Sequence, residues 1–354
     1  MSLRDLAYWL LDNAGPIVRF RTVVDLVEEQ DVGVVSRALR DMTEDQEVVK
    51  WFNLLKPHFG LNEIHSGNKE AYENVMAKLV QFGWRAGLQP FDTKTLPFRV
   101  WLSENIDNLP IEPHAVFKKT LIASLLARAG YDMVEAVEKQ VVNRLKTIHR
   151  FSSSPDYTRI FVDKPDTERL SKSNHDLVNP ELYPNQQFML PWVHDALAFS
   201  KIGSIMENPE KREMVENVME MVLSPEYQAL PSSYGLARYG DNYYVLGWAV
   251  HLPGFENKPE NREFAEMLLM LEAFAPFKCV RSSSWFKNSM EYLEEFRTEK
   301  ETYSFPAAWL PEKKTGYWVG GYRMAIDSRN GRERAIEVES TFRVVMIKKC
   351  AGLG

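Results

Sequence analysis

Three side chains in the middle of the chain have the types that general acid–base chemistry needs. His194 and Asp195 follow Trp192 at the start of an apolar segment, and Asp241 lies in an aromatic segment that is flanked by glycines. Histidine titrates near neutrality, and a carboxylate can donate or accept a proton when its pKa is tuned. Because neighbouring residues on a helix point about 100° apart, His194 and Asp195 do not form a dyad with each other. We therefore take His194, Asp195 and Asp241 as separate candidate catalytic residues.

Aromatic side chains are concentrated in two stretches, residues 227–255 and 285–322. Tyr and Trp join a large apolar body to a polar tip, so such clusters either pack helices together or line a pocket. The segment 235–248 suits a loop over the mouth of a cavity, where Arg238 or Asp241 would orient a polar group. The candidate ligand-binding residues are Trp192, Tyr234, Tyr239, Tyr243, Trp248 and Trp285.

Charge and composition narrow the classes of function. The net charge is −6 and both signs are interspersed, which predicts neither a nucleic-acid surface nor a basic membrane patch. No apolar run approaches the roughly 18 residues of a membrane span, and residues 1–13 are typical of an amphipathic helix rather than a signal peptide. Cys279 and Cys350 lie far apart and form no CxxC pair. Phosphate-loop and HExxH strings are absent, so we expect a cytoplasmic protein with no cofactor and no metal site.

Start and stop signals for helices recur along the whole chain. Asn208 and Pro209 read as a cap followed by the first residue of a helix. Residues 332–350 contain a β-branched run that suits a strand, but their acidic residues lie early and their lysines late, as a helix dipole favours. We predict that this segment is a helix that packs against the first helices and joins the ends of the chain.

These signals predict an all-α fold of roughly a dozen helices, often in pairs with a more buried and a more exposed member. No shift in composition marks a boundary, so we expect a single domain over residues 1–354, with residues 1–55 as a semi-independent, HEAT-like helical cap. Two connections, 151–187 and 227–255, exceed the usual loop length. Long ordered loops in compact domains tend to carry function.

Three segments carry a resemblance to a known group of proteins. Residues 13–27 (NAGPIVRFRTVVDLV), 305–312 (FPAAWLPE) and 336–343 (IEVESTFR) resemble bacterial proteins with degenerate prenyltransferase and squalene-cyclase-type repeats. The resemblance implies an α/α toroid, in which inner and outer helices alternate around a central cavity. The catalytic motifs of those families are absent: there is no DxDD or DCTAE string, no set of QW repeats, and no zinc-ligand spacing around Cys279.

The leading hypothesis is a toroid protein that binds a largely apolar, isoprenoid-like or lipid-like ligand in an aromatic-lined cavity. No motif specifies a reaction. The first alternative is a HEAT-type helical scaffold that binds another protein. The second is a toroid that acts on carbohydrate, in which two facing carboxylates would do the chemistry. Asp195 and Asp241 are the pair that this alternative would use.

Overall fold

Helices and short strands alternate along the chain in a computed structural model that describes residues 1–110, 112, 114–165, 173–329 and 332–353. The α-helices are α1 (Leu3–Asn13), α2 (Pro16–Arg21), α3 (Val32–Glu44), α4 (Gln46–Leu54), α5 (Leu61–Ile64), α6 (Tyr72–Phe82), α7 (Gln89–Asn105), α8 (Ala115–Arg128), α9 (Glu135–Ser152), α10 (Val193–Phe199), α11 (Gly203–Met206), α12 (Pro209–Val222), α13 (Pro225–Gln228), α14 (Asn261–Phe274), α15 (Lys278–Ser282), α16 (Ser284–Glu294) and α17 (Ala335–Cys350). A π-helical turn, Thr22–Val27, continues α2, and short 3-10 helices cover Tyr157–Arg159, Pro180–Leu182, Pro184–Gln186, Ala307–Trp309 and Trp318–Gly320. The strands are β1 (Phe161–Val162), β2 (Leu177–Val178), β3 (Gly235–Tyr239) and β4 (Asn242–Leu246).

Helices account for 58% of the residues, as the sequence predicts, but the prediction of an all-α fold is wrong in one region. The four strands form a sheet in the order β1-β2-β3-β4, in which β2 and β3 are parallel and the other pairs are antiparallel. The longest pair, β3 and β4, is a hairpin in the segment that the sequence predicts to be a loop. The α/α toroid stays a prediction.

The hairpin forms because its turn and its strands have suitable residues. Tyr239 pairs with Asn242, which leaves Gly240 and Asp241 as a two-residue turn. Gly240 has a φ of +58°, and glycine takes a positive φ at the first turn position without steric cost. The strands on either side are rich in aromatic and aliphatic residues that favour a pleated, half-buried surface.

The chain divides into two compact units. Unit 1 consists of Met1–Leu96 together with Pro253–Gly354, and unit 2 is the continuous segment Pro97–Leu252. In unit 1, α1 and α2 pack against α17, and α4 packs against α6. The expectation of a single domain with a cap over residues 1–55 stays a prediction.

The C-terminal segment is a helix, as its charge pattern predicts, and α17 packs against α1, α2 and the π-helical turn. Every residue from Val338 to Ile347 is buried, so this helix lies inside unit 1 rather than on its surface. Its buried charges are paired, since Glu339 accepts from Arg343 at 3.0 Å and from Arg329 at 2.8 Å. Such pairing is what makes charged side chains tolerable in an interior.

A buried carboxylate in unit 1 caps the start of α2. The two oxygens of Asp327 accept hydrogen bonds from the backbone N–H groups of Ile17 at 3.0 Å and Val18 at 3.4 Å. Asp327 is 8% exposed, and burial raises its pKa to about 6 although these hydrogen bonds and the nearby Arg332 act in the opposite direction. The desolvation cost of the charged form therefore dominates at this site.

Unit 2 is built around α8, which is buried on nearly all sides. Helices α9 and α10 pack against α8, and α12 packs against α9. The sheet is formed by strands from the two connections that are predicted to carry function. These elements together surround a groove at the start of α8.

Candidate binding groove

A groove in unit 2 lies between the start of α8, the connection that precedes α10, and one face of the β3–β4 hairpin. Its volume is about 40 Å³, room for roughly three water molecules. This is well below the roughly 300–1,000 Å³ of sites that enclose a whole small molecule, so the groove admits only part of a ligand. The lining is predominantly aromatic and apolar: His114, Val116, Phe117, Tyr183, Gln186, Phe188, Trp192, Ala237, Arg238, Tyr239, Tyr244 and Leu246.

A buried ion pair fixes the wall that carries Phe188 and Trp192. Arg144 of α9 donates to the carboxylate of Asp195 at 3.0 and 2.9 Å, and to the carbonyl oxygens of Phe188 at 2.6 Å and Leu190 at 3.3 Å. Its guanidinium lies 4.3 Å from the ring centroid of Trp192. Both charged side chains are 1% exposed. Because their hydrogen bonds are directed at the chain on both sides of Trp192, the pair holds this wall in one position.

Two buried tyrosines support the same wall from behind. Tyr234 donates its hydroxyl to the carbonyl oxygen of Pro191 at 2.6 Å and accepts a short hydrogen bond from Tyr227, whose oxygen accepts from the backbone of Val250 at 3.1 Å. Burial raises the pKa of both phenols, so they are neutral hydrogen-bonding groups near neutral pH. The ring of Tyr234 meets Phe188 edge to face at 5.0 Å. Tyr234 therefore positions the groove without lining it.

The hairpin presents one face to the groove, because alternate side chains of a strand point to opposite faces. Ala237 pairs with Tyr244 in the register, and Ala237, Tyr239, Tyr244 and Leu246 all line the groove. Tyr243 lies on the other face, where it packs against Leu177 and Leu236.

The remaining contacts join the hairpin to the other two sides. The Tyr183 hydroxyl accepts a hydrogen bond from the backbone N–H of Arg238 at 3.1 Å, and burial raises the pKa of Tyr183. The His114 ring meets Tyr244 edge to face at 5.6 Å. Tyr183 and His114 thus each fix one edge of the hairpin, and the groove is framed by three chain segments that lie far apart in sequence.

The structure brings two of the six sequence-predicted ligand-binding residues, Trp192 and Tyr239, into the lining of the groove. Tyr234 lies behind the wall, and Tyr243 lies on the opposite face of the hairpin. Trp248 meets His194 edge to face, with the two ring centroids 6.2 Å apart. Trp285 belongs to unit 1, where it is buried and donates to the carbonyl oxygen of Pro253 at 2.9 Å.

The candidate catalytic residues do not meet at one site. His194 is 2% exposed, and its ring centroid lies 5.6 Å from the ring centroid of Phe117. Asp195 has both oxygens engaged by Arg144, and one of them also accepts from the backbone of Trp192 at 3.0 Å. Asp241 is fully exposed at the tip of the hairpin, 3.7 Å from Arg238. Asp195 is therefore part of a buried ion pair and Asp241 is an exposed turn residue, so the two carboxylates that a glycoside-cleaving site would need lie in separate places.

Left-handed backbone is concentrated around the groove. His114, Asn185 and Gln186 have φ values of 64°, 51° and 60°, and the hairpin is flanked by Tyr234 at 41° and Trp248 at 69°. Each costs a non-glycine residue on the order of 1–2 kcal/mol. Such strain persists only where surrounding contacts hold it, and it is found most often at functional sites.

Most of the lining residues are missed by the sequence analysis. Tyr183 and Gln186 belong to the long connection 151–187, and Tyr244 belongs to the other long connection, 227–255. The length of these connections indicates the correct segments. Nothing in the sequence indicates His114, which lies about 70 residues from Tyr183 along the chain.

Two other features bear on the class of protein. Across the described ranges, no helix is both long and apolar enough to cross a membrane. The same residues contain no group of three or more His, Cys, Asp or Glu side chains that could hold a metal ion.

Comparison of the chain with protein-family models, with curated proteins and with solved structures finds no significant match.

Proposed function

We propose that unit 2 binds the apolar part of a small molecule in the groove between α8 and the β3–β4 hairpin. The observation that carries this proposal is the lining itself: six aromatic side chains frame a half-open space in which the chain keeps several residues in strained backbone. A groove that is lined by aromatic side chains and open on one side is typical of a ligand site.

The size of the groove limits the ligand. At about 40 Å³ it admits one edge of a ring or the end of a branched chain, and the rest of an isoprenoid-like or lipid-like ligand would extend along the open side. The described lining contains no carboxylate, and the proposal is restricted to binding. A toroid with a lipid-like ligand, as the resemblance implies, is compatible with this placement and is part of the proposal.

The carbohydrate alternative receives no support from the positions of Asp195 and Asp241. The protein-scaffold alternative is distinguished by experiment, because it requires no small apolar ligand.

The test uses two adjacent tyrosines of one strand as a matched pair. Tyr244→Ala removes an aromatic wall of the groove, whereas Tyr243→Ala removes the same side chain from the other face. The wild-type protein should bind the uncharged fluorescent probe N-phenyl-1-naphthylamine. Tyr244→Ala should weaken binding roughly tenfold, since an aromatic contact contributes about 0.5–1.5 kcal/mol beyond its buried area. Tyr243→Ala should lower the Tm and leave the Kd unchanged.

Equal loss of binding in both variants, or no binding by the wild type, would contradict the proposal. Native mass spectrometry of freshly purified protein provides an independent test, since a co-purified apolar compound should be retained by the wild type and lost from Tyr244→Ala.

A further inference from the structure

A second cavity lies in unit 1, where α1, the π-helical turn and α17 pack against one another. Its volume is about 340 Å³, within the roughly 300–1,000 Å³ of sites that enclose a small molecule. It is therefore several times larger than the groove of unit 2. The residues that line it are Leu3, Arg4, Ala7, Tyr8, Leu26, Val27, Val345 and Lys349.

The spacing of these residues places them on one face of each long helix. Residues four apart on a helix are neighbours on its surface. The lining uses two such pairs of α1, Leu3 with Ala7 and Arg4 with Tyr8, and α17 contributes a third pair with the same spacing. The cavity is therefore bounded by two regular helix faces and by the end of the π-helical turn.

Apolar side chains form the floor of the cavity, and polar side chains lie at its mouth. Ala7 and Val345 are buried, whereas Arg4 and Tyr8 are exposed, Tyr8 at 46%. The two polar side chains are thus within reach of a molecule that enters from solvent. An apolar chain that covers the floor removes its own surface and that of the floor from water, which is favourable.

The charges of the lining have one sign. Arg4 and Lys349 are cationic, and among the residues that the structure describes no carboxylate lines the cavity. The ammonium of Lys349 is already engaged, since it donates to the carboxylate of Glu28 at 2.6 Å and to the carbonyl oxygen of Leu26 at 3.2 Å. Arg4 makes one hydrogen bond within the described part of the chain, to the Tyr8 hydroxyl at 3.3 Å. A guanidinium has five N–H donors, so Arg4 has donors left for an anion.

The third wall of the cavity is an unusual piece of backbone. Leu26 and Val27 are the last two residues of the π-helical turn Thr22–Val27, and Glu28 ends it in the left-handed region with a φ of 55°. A π-helix is rare and occurs frequently at functional sites. The two hydrogen bonds of Lys349 hold this end of the turn against α17, so the wall is fixed before a ligand arrives.

We infer that the cavity of unit 1 binds an amphipathic anion, an apolar chain that carries a carboxylate. The chain lies on the apolar floor, and the carboxylate pairs with the guanidinium of Arg4, whose geometry suits two parallel hydrogen bonds. This site is separate from the groove of unit 2, and the inference does not depend on the proposed function.

The experiment compares three probes by isothermal titration calorimetry of the full chain. Octanoate has both the chain and the charge, 1-octanol has the chain without the charge, and acetate has the charge without the chain. Octanoate should bind about tenfold more tightly than 1-octanol, because hydrogen bonds between charged groups are stronger than neutral ones. Acetate should give no heat of binding at the concentrations at which octanoate saturates, because it has no chain to bury.

Arg4→Gln removes the charge and keeps a long polar side chain on the exposed face of α1. Its Kd for octanoate should rise about tenfold, and its Kd for 1-octanol should stay unchanged. Arg37→Gln is the matched control, because Arg37 is an exposed arginine of α3 in the same unit and does not line the cavity. It should keep the wild-type Kd for octanoate.

Ala7→Met tests the floor of the cavity, because its longer side chain occupies the space that the apolar chain would take. It should weaken the binding of octanoate and 1-octanol alike. Unchanged binding of both probes in this variant would contradict the inference. If Ala7→Met fails to fold, Arg4→Gln and the comparison of the three probes decide the question.

The other outcomes separate this inference from the proposed function. Absence of octanoate binding to the wild type, equal affinity for octanoate and 1-octanol, or an unchanged octanoate Kd in Arg4→Gln overturns the inference and leaves the groove of unit 2 untouched. Tyr244→Ala, which changes that groove, should keep the wild-type Kd for octanoate. Loss of octanoate binding in Tyr244→Ala would place octanoate in unit 2 and would also overturn the inference.

Discussion

Removing the buried guanidinium of Arg144 should destabilise unit 2 and loosen its groove together. In Arg144→Met the Asp195 carboxylate, which is 1% exposed, would be left without its cation, and the carbonyl oxygens of Phe188 and Leu190 would lose their donors. Breaking a buried ion pair on one side costs about 3–5 kcal/mol. For a unit the size of Pro97–Leu252, each kcal/mol lowers the Tm by roughly 2–4 °C, so the Tm should fall by roughly 6–20 °C.

The assay is calorimetric unfolding of the full chain, with probe binding measured below the transition. Asp195→Asn in the Arg144→Met background removes the uncompensated charge and keeps an acceptor for the Trp192 N–H. The double variant should therefore be more stable than Arg144→Met alone by at least about 1 kcal/mol. A loss below about 1 kcal/mol in Arg144→Met, or a double variant that is less stable than the single one, would refute this reasoning.

Three other perturbations have defined outcomes. Burial raises the pKa of Asp327 from 3.8 to about 6, so between about pH 4 and pH 6 the folded chain should retain a proton that the unfolded chain has already released. The free energy of unfolding should therefore fall by up to about 3 kcal/mol as pH rises through this window. In urea unfolding of Asp327→Asn, this part of the pH dependence should be missing. Tyr234→Phe leaves the Pro191 carbonyl without its donor and the Tyr227 O–H without its acceptor, and it should cost about 1–3 kcal/mol. Tyr239→Phe on the half-exposed hairpin should change stability by less than about 0.5 kcal/mol. A chain that ends near residue 331 lacks α17 and should be insoluble or unfold without cooperativity. A soluble product with an unchanged melting transition would show that α17 is peripheral.

Local signals in the sequence are sufficient for most helices. The Asn208 cap and Pro209 mark the start of α12 as the structure has it. The charge order of residues 332–350 correctly predicts a helix, although its β-branched run favours a strand. That run is explained by burial, because a helix that is enclosed on all sides needs apolar residues around its whole circumference.

The hairpin and the groove are harder to predict, for different reasons. The hairpin signal is present in the sequence, since Gly240 and Asp241 separate two short aromatic segments, but the density of aromatics there is equally typical of a cavity loop. Tyr243 lies on the other face of the hairpin, because strand alternation turns it away from Tyr239 and Tyr244. Placing Gln186 beside His114, or Arg144 beside Asp195, depends on tertiary contacts that no local pattern encodes.

The packing of α17 against α1 and α2 has a consequence during protein synthesis. Unit 2 is one continuous stretch of chain. In unit 1, by contrast, the apolar faces of α1 and α2 must wait for a helix that lies about 300 residues later, a delay of roughly 15–60 s at 5–20 residues per second. Over that interval side chains such as Ile17, Val18 and Phe20, which are buried in the folded chain, have no C-terminal partner. The nascent chain should therefore be a substrate for chaperones that recognise exposed apolar segments, and its yield should depend on them more strongly than its final stability suggests.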